Sequence, residues 1–239
     1  MPPRAATKPV AANRLLMRLP HADQQRFIAQ CDTIDLVISD VLCEKGDRVL
    51  HVYFPIDCFL SLITPVDDRI GFEVGMVGAE GMQGISLTLG VDIAPQRVLV
   101  QGTGSALRMK ASTFQRELVR NVPLQRVLAR YLHVLMTQQA QTGACTRFHL
   151  LEKRLARSLL MTDDRAVGHQ LHLTHSFLAY MLGMRREGIT MAAGALQRKK
   201  LIRYVRGIIT ITNRSGLEDA SCDCYRMDQE TYAQMLGAG

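Results

Sequence analysis

The order of apolar and polar positions changes character twice along the chain. From about Val37 to Met109, short β-branched and aromatic runs ("RVLHVYFP", "FLSLITPV", "IGFEVGMVG", "RVLVQG", "ALRMK") alternate with turn signals. These fall at Lys45-Gly46-Asp47, at Pro65 with Asp67-Asp68, and at Gly102 with Gly104. Such punctuation predicts an antiparallel β domain closed as a roll, barrel or sandwich. The glycines of "GMVGAEGMQG" predict a tight loop with exposed backbone between two of its strands.

From Asn121 onward the alternation stops. After Pro123, a favoured first-turn residue, good helix formers run on without another proline. The pattern predicts a long helix that breaks near Gly143 or just after His149, then a separate amphipathic helix over Glu152 to Met161. Leu128, Leu132, Leu135, Gln139 and Thr142 recur with the alternating spacing of a coiled-coil seam, while Leu124, Val127, Tyr131 and Val134 form a second apolar stripe. Two stripes on one helix need two surfaces. One is expected to pack on the β domain, and the seam to meet the same helix of a second copy.

The last third predicts short helices followed by a β-hairpin. Thr174 is a good N-cap for a helix ending at Gly183, with Phe177, Leu178, Met181 and Leu182 as its buried stripe. A second helix begins near Arg185 and places Ile189, Ala192, Ala193 and Leu196 on one face. Two short helices joined at a glycine make a helix-turn-helix. Beyond them, "LIRYVRGIITI" sets two β-rich runs around Arg206-Gly207, which predicts a wing beside the second helix.

Charge sharpens this picture. The 239 residues carry a net charge of +7 and a pI near 9.3, which points to an acidic partner, with nucleic acid first and a mere solubility device as the alternative. Its distribution decides. Between Leu182 and Gly207, Arg185, Arg186, Arg198, Lys199, Lys200, Arg203 and Arg206 are set against Glu187 alone. With the second helix's apolar residues turned inward, Arg185, Arg186, Glu187, Thr190 and Met191 are left for its outer face and N-terminal end, the part that enters a major groove. The arginine fork matches guanine O6 and N7, and glutamate can accept from the cytosine amino group, so Arg186-Glu187 suits a G·C step. Lys199, Lys200, Arg203 and Arg206 are placed for phosphates. Thr174 and His175, at the start of the first helix, complete the expected DNA-binding set, His175 as a phosphate contact or an exposed side chain.

At these residues the chain resembles the Crp/Fnr family of bacterial transcription regulators. "LTHSFLAYMLGMRREGITMAAGALQRKKLIRYVRGIITI" is similar to that family's winged helix-turn-helix, and "EKRLARSLL" to the helix before it. "HVYFP", "VGAEGMQG" and the long helix are similar to its cyclic-nucleotide-binding-like β-roll and dimerisation helix. The resemblance implies an α+β chain with an N-terminal tail over residues 1–18 and a β-roll sensor domain over 19–120. A dimerisation helix over 121–149 and a winged helix-turn-helix domain over 150–239 follow. It further implies a homodimer on a palindromic site in double-stranded DNA, a signal sensed in the β-roll, and contact with RNA polymerase. On the matching positions Arg186 and Glu187 are base readers. Met191 stands where the family has a further arginine, and Arg185 where it has a small N-cap.

The ligand cassette departs from the family. Members that bind cyclic AMP carry Gly-Glu for the ribose hydroxyl and later Arg-Ser for the cyclic phosphate. Here Ile85 follows Gly84, and Ala94-Pro95 stand in place of Arg-Ser. A hydroxyl loses its acceptor and a phosphate its counter-charge, so cyclic AMP is not the expected effector. The expected pocket comprises Gly84, Ile85, Ser86, Gln139 and Arg97, the last as a displaced cation. An unidentified small-molecule effector fits this reading. The alternative is the same DNA binder with a vestigial, empty roll, constitutive or controlled by abundance.

Other chemistries find little support. Cys31, Cys43, Cys58, Cys145, Cys222 and Cys224 read as scattered thiols of a reducing compartment, not a disulfide framework. The family's iron-sulfur members cluster cysteines near the N-terminus, and no such cluster stands here. The pair in "SCDCY" offers only two thiolates at a short spacing near the end of the chain. It is expected to be a chance pair or a pair of exposed, redox-sensitive thiols. His133 and His149 read as lacking a cysteine or carboxylate at ligand spacing, and His169, His172 and His175 do not share a helix face. No metal, haem or other cofactor is therefore expected. No stretch approaches the ~18 apolar residues of a membrane span, so a soluble, cytoplasmic protein with no membrane partner and no leader is expected. No nucleophile-base constellation, P-loop or Rossmann loop appears, which argues against an enzyme. Aromatics at 5% and no tryptophan argue against an RNA-stacking module.

Overall fold

The computed structural model describes residues 13–66, 71–168 and 170–237. Most of the expected N-terminal tail, Asp67 and Asp68 of one expected turn, and His169 lie outside these. Helix α1 (His21–Ile28) leads into seven strands, β1 (Asp32–Leu36), β2 (Val41–Cys43), β3 (His51–Pro55), β4 (Phe59–Pro65), β5 (Gly71–Val77), β6 (Arg97–Gly102) and β7 (Gly104–Lys110). They form two antiparallel sheets, ordered β1-β7-β3 and β2-β6-β4-β5. The first five residues of β4 are buried without alternation, as expected for a strand covered on both faces. Leu36, Leu60, Leu62, Val77, Val98, Val100 and Ala106 form the apolar filling of the roll. A second core holds it to the helices, centred on Phe27, whose ring meets those of Phe54 and Phe114 edge-on at 5.3 and 6.5 Å.

Helix α2 (Ala111–Arg120) precedes α3 (Val122–Phe148). Asn121 caps α3, its side-chain oxygen accepting from the Leu124 amide at 3.0 Å. The 27 residues of α3 span about 40 Å, pass Gly143 without a break, and end ahead of His149, whose backbone is extended. Here the expected seam is corrected. Leu128 and Leu135 are buried in the chain's own core together with Leu124, Tyr131 and Val134, while Leu132 and Thr142 are half-buried and Gln139 is exposed. The two stripes together make one broad face, which the β-roll and the C-terminal helix occupy. The face left outward carries Val122, Ala129, His133, Met136, Ala140 and Gly143, all exposed.

The C-terminal part starts with α4 (Leu151–Asp163), then β8 (Gln170–His172), α5 (His175–Leu182), α6 (Arg186–Arg198), β9 (Ile202–Val205) and β10 (Ile208–Ile211). Its three strands form a sheet ordered β8-β10-β9, and Leu155, Leu159, Leu178, Ile189, Leu196 and Ile209 fill its core. Two helices that the sequence pattern did not reveal close the chain, α7 (Arg214–Ala220) and α8 (Cys224–Leu236). Helix α8 packs back along α3 and buries Tyr225, Asp228 and Leu236.

The glycine-rich loop after β5 joins the two parts. Glu80 is buried there, receives the Arg165 Nε–H at 2.7 Å, and presents its backbone carbonyl to the Tyr232 hydroxyl at 2.9 Å. A Cβ at Gly81 would overlap the Tyr131 hydroxyl, and one at Gly78 would crowd Glu80 and Arg165. These glycines serve close packing between domains. A buried ion pair, Arg157 to Asp228 at 2.6 Å, fastens α4 to α8. No described helix is long and apolar enough to cross a membrane.

Candidate nucleic-acid interface

Local chemistry sets both helices of the motif. The Thr174 hydroxyl accepts from the Phe177 amide at 3.1 Å and starts α5, while Gly183, in the left-handed region at φ +62°, ends it. Helix α6 buries Ile189, Ala192, Ala193 and Leu196, the inward face expected. Its opposite face and first turn carry Arg185, Arg186, Glu187, Thr190 and Met191, all exposed. No side chain caps α6 at Arg185, and Arg185 and Arg186 stand exposed at this helix end. Uncapped amides at the positive end of the helix dipole, with two exposed arginines in the same turn, suit a phosphate or the acceptor edge of a base.

The wing completes the surface. Strands β9 and β10 pair Val205 with Ile208, and the two residues between them, Arg206 and Gly207, have φ of +49° and +84°. Left-handed backbone at both central positions is the tight hairpin turn that matches strand twist, and it holds Arg206 at the tip. The amide of Tyr204 donates to the Gln197 side chain at 2.8 Å, which fixes the wing to the end of α6. Arg185, Arg186, Lys200, Arg203 and Arg206 are exposed, and none of them pairs with a carboxylate among the described residues. Lys199 differs, since its ammonium meets Glu152 at 2.6 Å.

His175 has a different place from the one expected of a phosphate contact. It is half-buried, its ring stacks on Tyr204 at 4.1 Å, and its Nδ1 lies 3.0 Å from the Thr190 hydroxyl. That hydroxyl donates to the Arg186 carbonyl at 3.0 Å, so Nδ1–H is the donor in the histidine contact. Burial, and then the neighbouring Arg186, hold the imidazole below its usual pKa. A neutral His175 therefore braces α5, α6 and the wing together.

The residues expected to bind a ligand are partly dispersed. Gly84, Ile85 and Ser86 line a cavity of about 50 Å3 with Leu62, Ala94 and Leu135. Arg97 does not line it and instead faces Glu44 at 3.4 Å, and Gln139 lies exposed on α3.

Sequence reasoning missed a second grouping. Cys222 and Cys224, expected to be a chance pair or exposed, redox-sensitive thiols, are buried, because α8 folds back on α3. Cys145, in the last turn of α3, and His149, just past its end, meet them there. The four-residue spacing of Cys145 and His149 was the available signal. Cys31, Cys43 and Cys58 stand apart in or beside the β-roll, where burial pushes their thiols up to about 12, 11 and 11, the behaviour of inert packing residues.

Comparison with known proteins agrees with this architecture. Residues 153–220 match the family model of the Crp-like helix-turn-helix domain. No curated protein matches the chain. FixK2 from Bradyrhizobium japonicum is 14% identical and superposes with a TM-score of 0.68 over 80% of this chain and 98% of its own. The c-di-GMP responsive global regulator CLP of Xanthomonas campestris is 18% identical, with a TM-score of 0.66 over 80% and 99%. A Crp/Fnr-family transcriptional regulator from Thermus thermophilus is 21% identical, with a TM-score of 0.65 over 80% and 98%. The chain has the fold of the Crp/Fnr-type regulators and carries their Crp-like helix-turn-helix domain over residues 153–220.

Proposed function

We infer that the chain is a sequence-specific transcription regulator that binds a two-fold site in duplex DNA as a homodimer, without cyclic AMP as its effector. The observation that carries this reading is the first turn of α6, where Arg185, Arg186 and Glu187 stand exposed on a helix end whose amides are uncapped. In it Arg186 and Glu187 read base edges, Arg185 and the wing residues Arg203 and Arg206 hold phosphates with Lys200, and Lys199 joins them when it leaves Glu152. The outward stripe of α3, with Ala129, Met136, Ala140 and Gly143 exposed at coiled-coil spacing, is the surface for the second copy. Contact with RNA polymerase and a cytoplasmic location belong to the same reading and rest on the family likeness.

The small cavity beside Gly84, Ile85 and Ser86 favours a cassette that holds no cyclic nucleotide. Pockets that enclose a small ligand measure ~300 Å3 or more, against about 50 Å3 here, and Ile85 and Ala94 line it where cyclic-AMP binders of the family carry a glutamate and an arginine. Selection from random duplexes, followed by binding titrations across a salt series, tests the proposal. A recovered two-fold motif whose affinity falls steeply with salt is expected. A protein that selects no motif overturns the reading, and clear thermal stabilisation by cyclic AMP overturns the effector assignment.

A further inference from the structure

Four potential ligand atoms converge where α3 ends and the elbow between α7 and α8 folds onto it. The Sγ atoms of Cys145, Cys222 and Cys224 and a ring nitrogen of His149 all lie within 4.8 Å of one another. Cys145 and Cys222 are 3.5 Å apart at sulfur, and Cys224 Sγ is 3.4 Å from His149 Nδ1. A tetrahedral zinc ion with ordinary bond lengths sets its thiolates ~3.8 Å apart, and a thiolate ~3.6 Å from a histidine nitrogen. The two measured separations are close to those values. A di-iron cluster would spread its four ligands wider.

The surroundings suit a charged complex. Gln141, one turn before Cys145, donates its side-chain amide to Cys224 Sγ at 2.9 Å, the kind of outer hydrogen bond that orients a metal thiolate. Arg154 and Arg157 are buried and line one small cavity with Cys145. Arg157 has Asp228, but no carboxylate among the described residues pairs with Arg154. Three thiolates and a neutral imidazole around a divalent ion leave one negative charge, which supplies Arg154 with a counter-charge that the side chains alone do not.

We propose that Cys145, His149, Cys222 and Cys224 form a closed, structural zinc site that clamps the C-terminal end of α3 to the α7–α8 elbow. Four protein ligands leave no open position, so the site is structural and not catalytic. It sits at the hinge between α3 and α4, and Arg154 extends from its neighbourhood to the Leu182 carbonyl at 2.7 Å, at the turn of the DNA-binding motif. The assignment stands apart from the DNA-binding reading and can fail without it.

The test uses the full chain. Elemental analysis of reduced, purified protein should find one zinc per chain, and cobalt added to stripped protein should give the intense visible bands of a tetrahedral thiolate complex that one equivalent of zinc abolishes. Cys222→Ser and His149→Gln should lose stoichiometric binding, while Cys31→Ser keeps it. Gln141→Ala, which leaves every ligand in place, should weaken zinc by ~10- to 100-fold in chelator competition. If ligand variants do not fold, the wild-type cobalt spectrum still decides. An octahedral spectrum, no uptake by reduced protein, or stoichiometric binding that survives loss of both Cys145 and Cys222 overturns the proposal. So does reduced protein that takes up no ion and on oxidation only joins Cys145 to Cys222.

Discussion

The outer end of α6 and the inner end of α3 are both clusters of chemically active side chains, built in opposite ways. At α6 the cations stand exposed on a helix whose other face is packed, and each residue takes its place from local periodicity. At α3, thiols and an imidazole from residues 145–149 meet thiols from 222 and 224, and only the return of α8 brings them together. The first kind of site can lose a side chain without the fold noticing. The second kind is part of what holds the fold.

Removing Asp228 gives the largest effect expected. It would leave the buried Arg157 charge uncompensated, and such a loss costs ~3–5 kcal/mol. The urea midpoint of Asp228→Ala should fall accordingly, while the folded fraction selects the same DNA motif as the parent. A motif that changes with this variant would mean the junction and the reading head are not separable.

Arg186→Ala should do the reverse. It should lose ~1–3 kcal/mol of discrimination at one base position, read from competition between matched and mismatched duplexes. Stability should stay within about 0.5 kcal/mol, as for other exposed substitutions. Thr174→Ala lies between the two, since it removes the cap of α5. It should lower stability by ~1 kcal/mol in a thermal melt and leave the motif intact.

A further effect is one of pH, and it belongs to the β-roll. Glu73 is half-buried and accepts from the Ser61 hydroxyl at 2.5 Å. Burial pushes its carboxyl from 4.5 up to about 7, against the pull of that hydroxyl. Between those two values the folded chain keeps a proton that the unfolded chain has released. Stability should therefore fall as pH rises from about 4.5 to about 7. Glu73→Gln should flatten that slope in denaturant titrations without altering base preference.

The same contrast explains what could be read from residues alone. The inward face of α6, the cap at Thr174 and the Arg206-Gly207 turn are legible because each depends on neighbours within a few positions. The stripe with Leu128 and Leu135 was assigned outward, yet it lies in the chain's own core. Hydrophobicity at helical spacing marks a buried side without telling which surface buries it. Helix α8 escaped notice because "CDCYRMDQETYAQML" buries Tyr225, an acid and a terminal leucine in no regular apolar period. With α8 unseen, Cys222 and Cys224 had nothing to meet.

Among the exposed cations around α6 and the wing, Lys200 and Arg206 have φ of +58° and +49°, a backbone shape that glycine or asparagine would hold at lower cost. For an ordinary L-residue it costs about 1–2 kcal/mol. The molecule thus keeps long positive arms at two left-handed positions and tolerates the local discomfort. Arg206→Asn should accordingly give a firmer wing with a weaker grip.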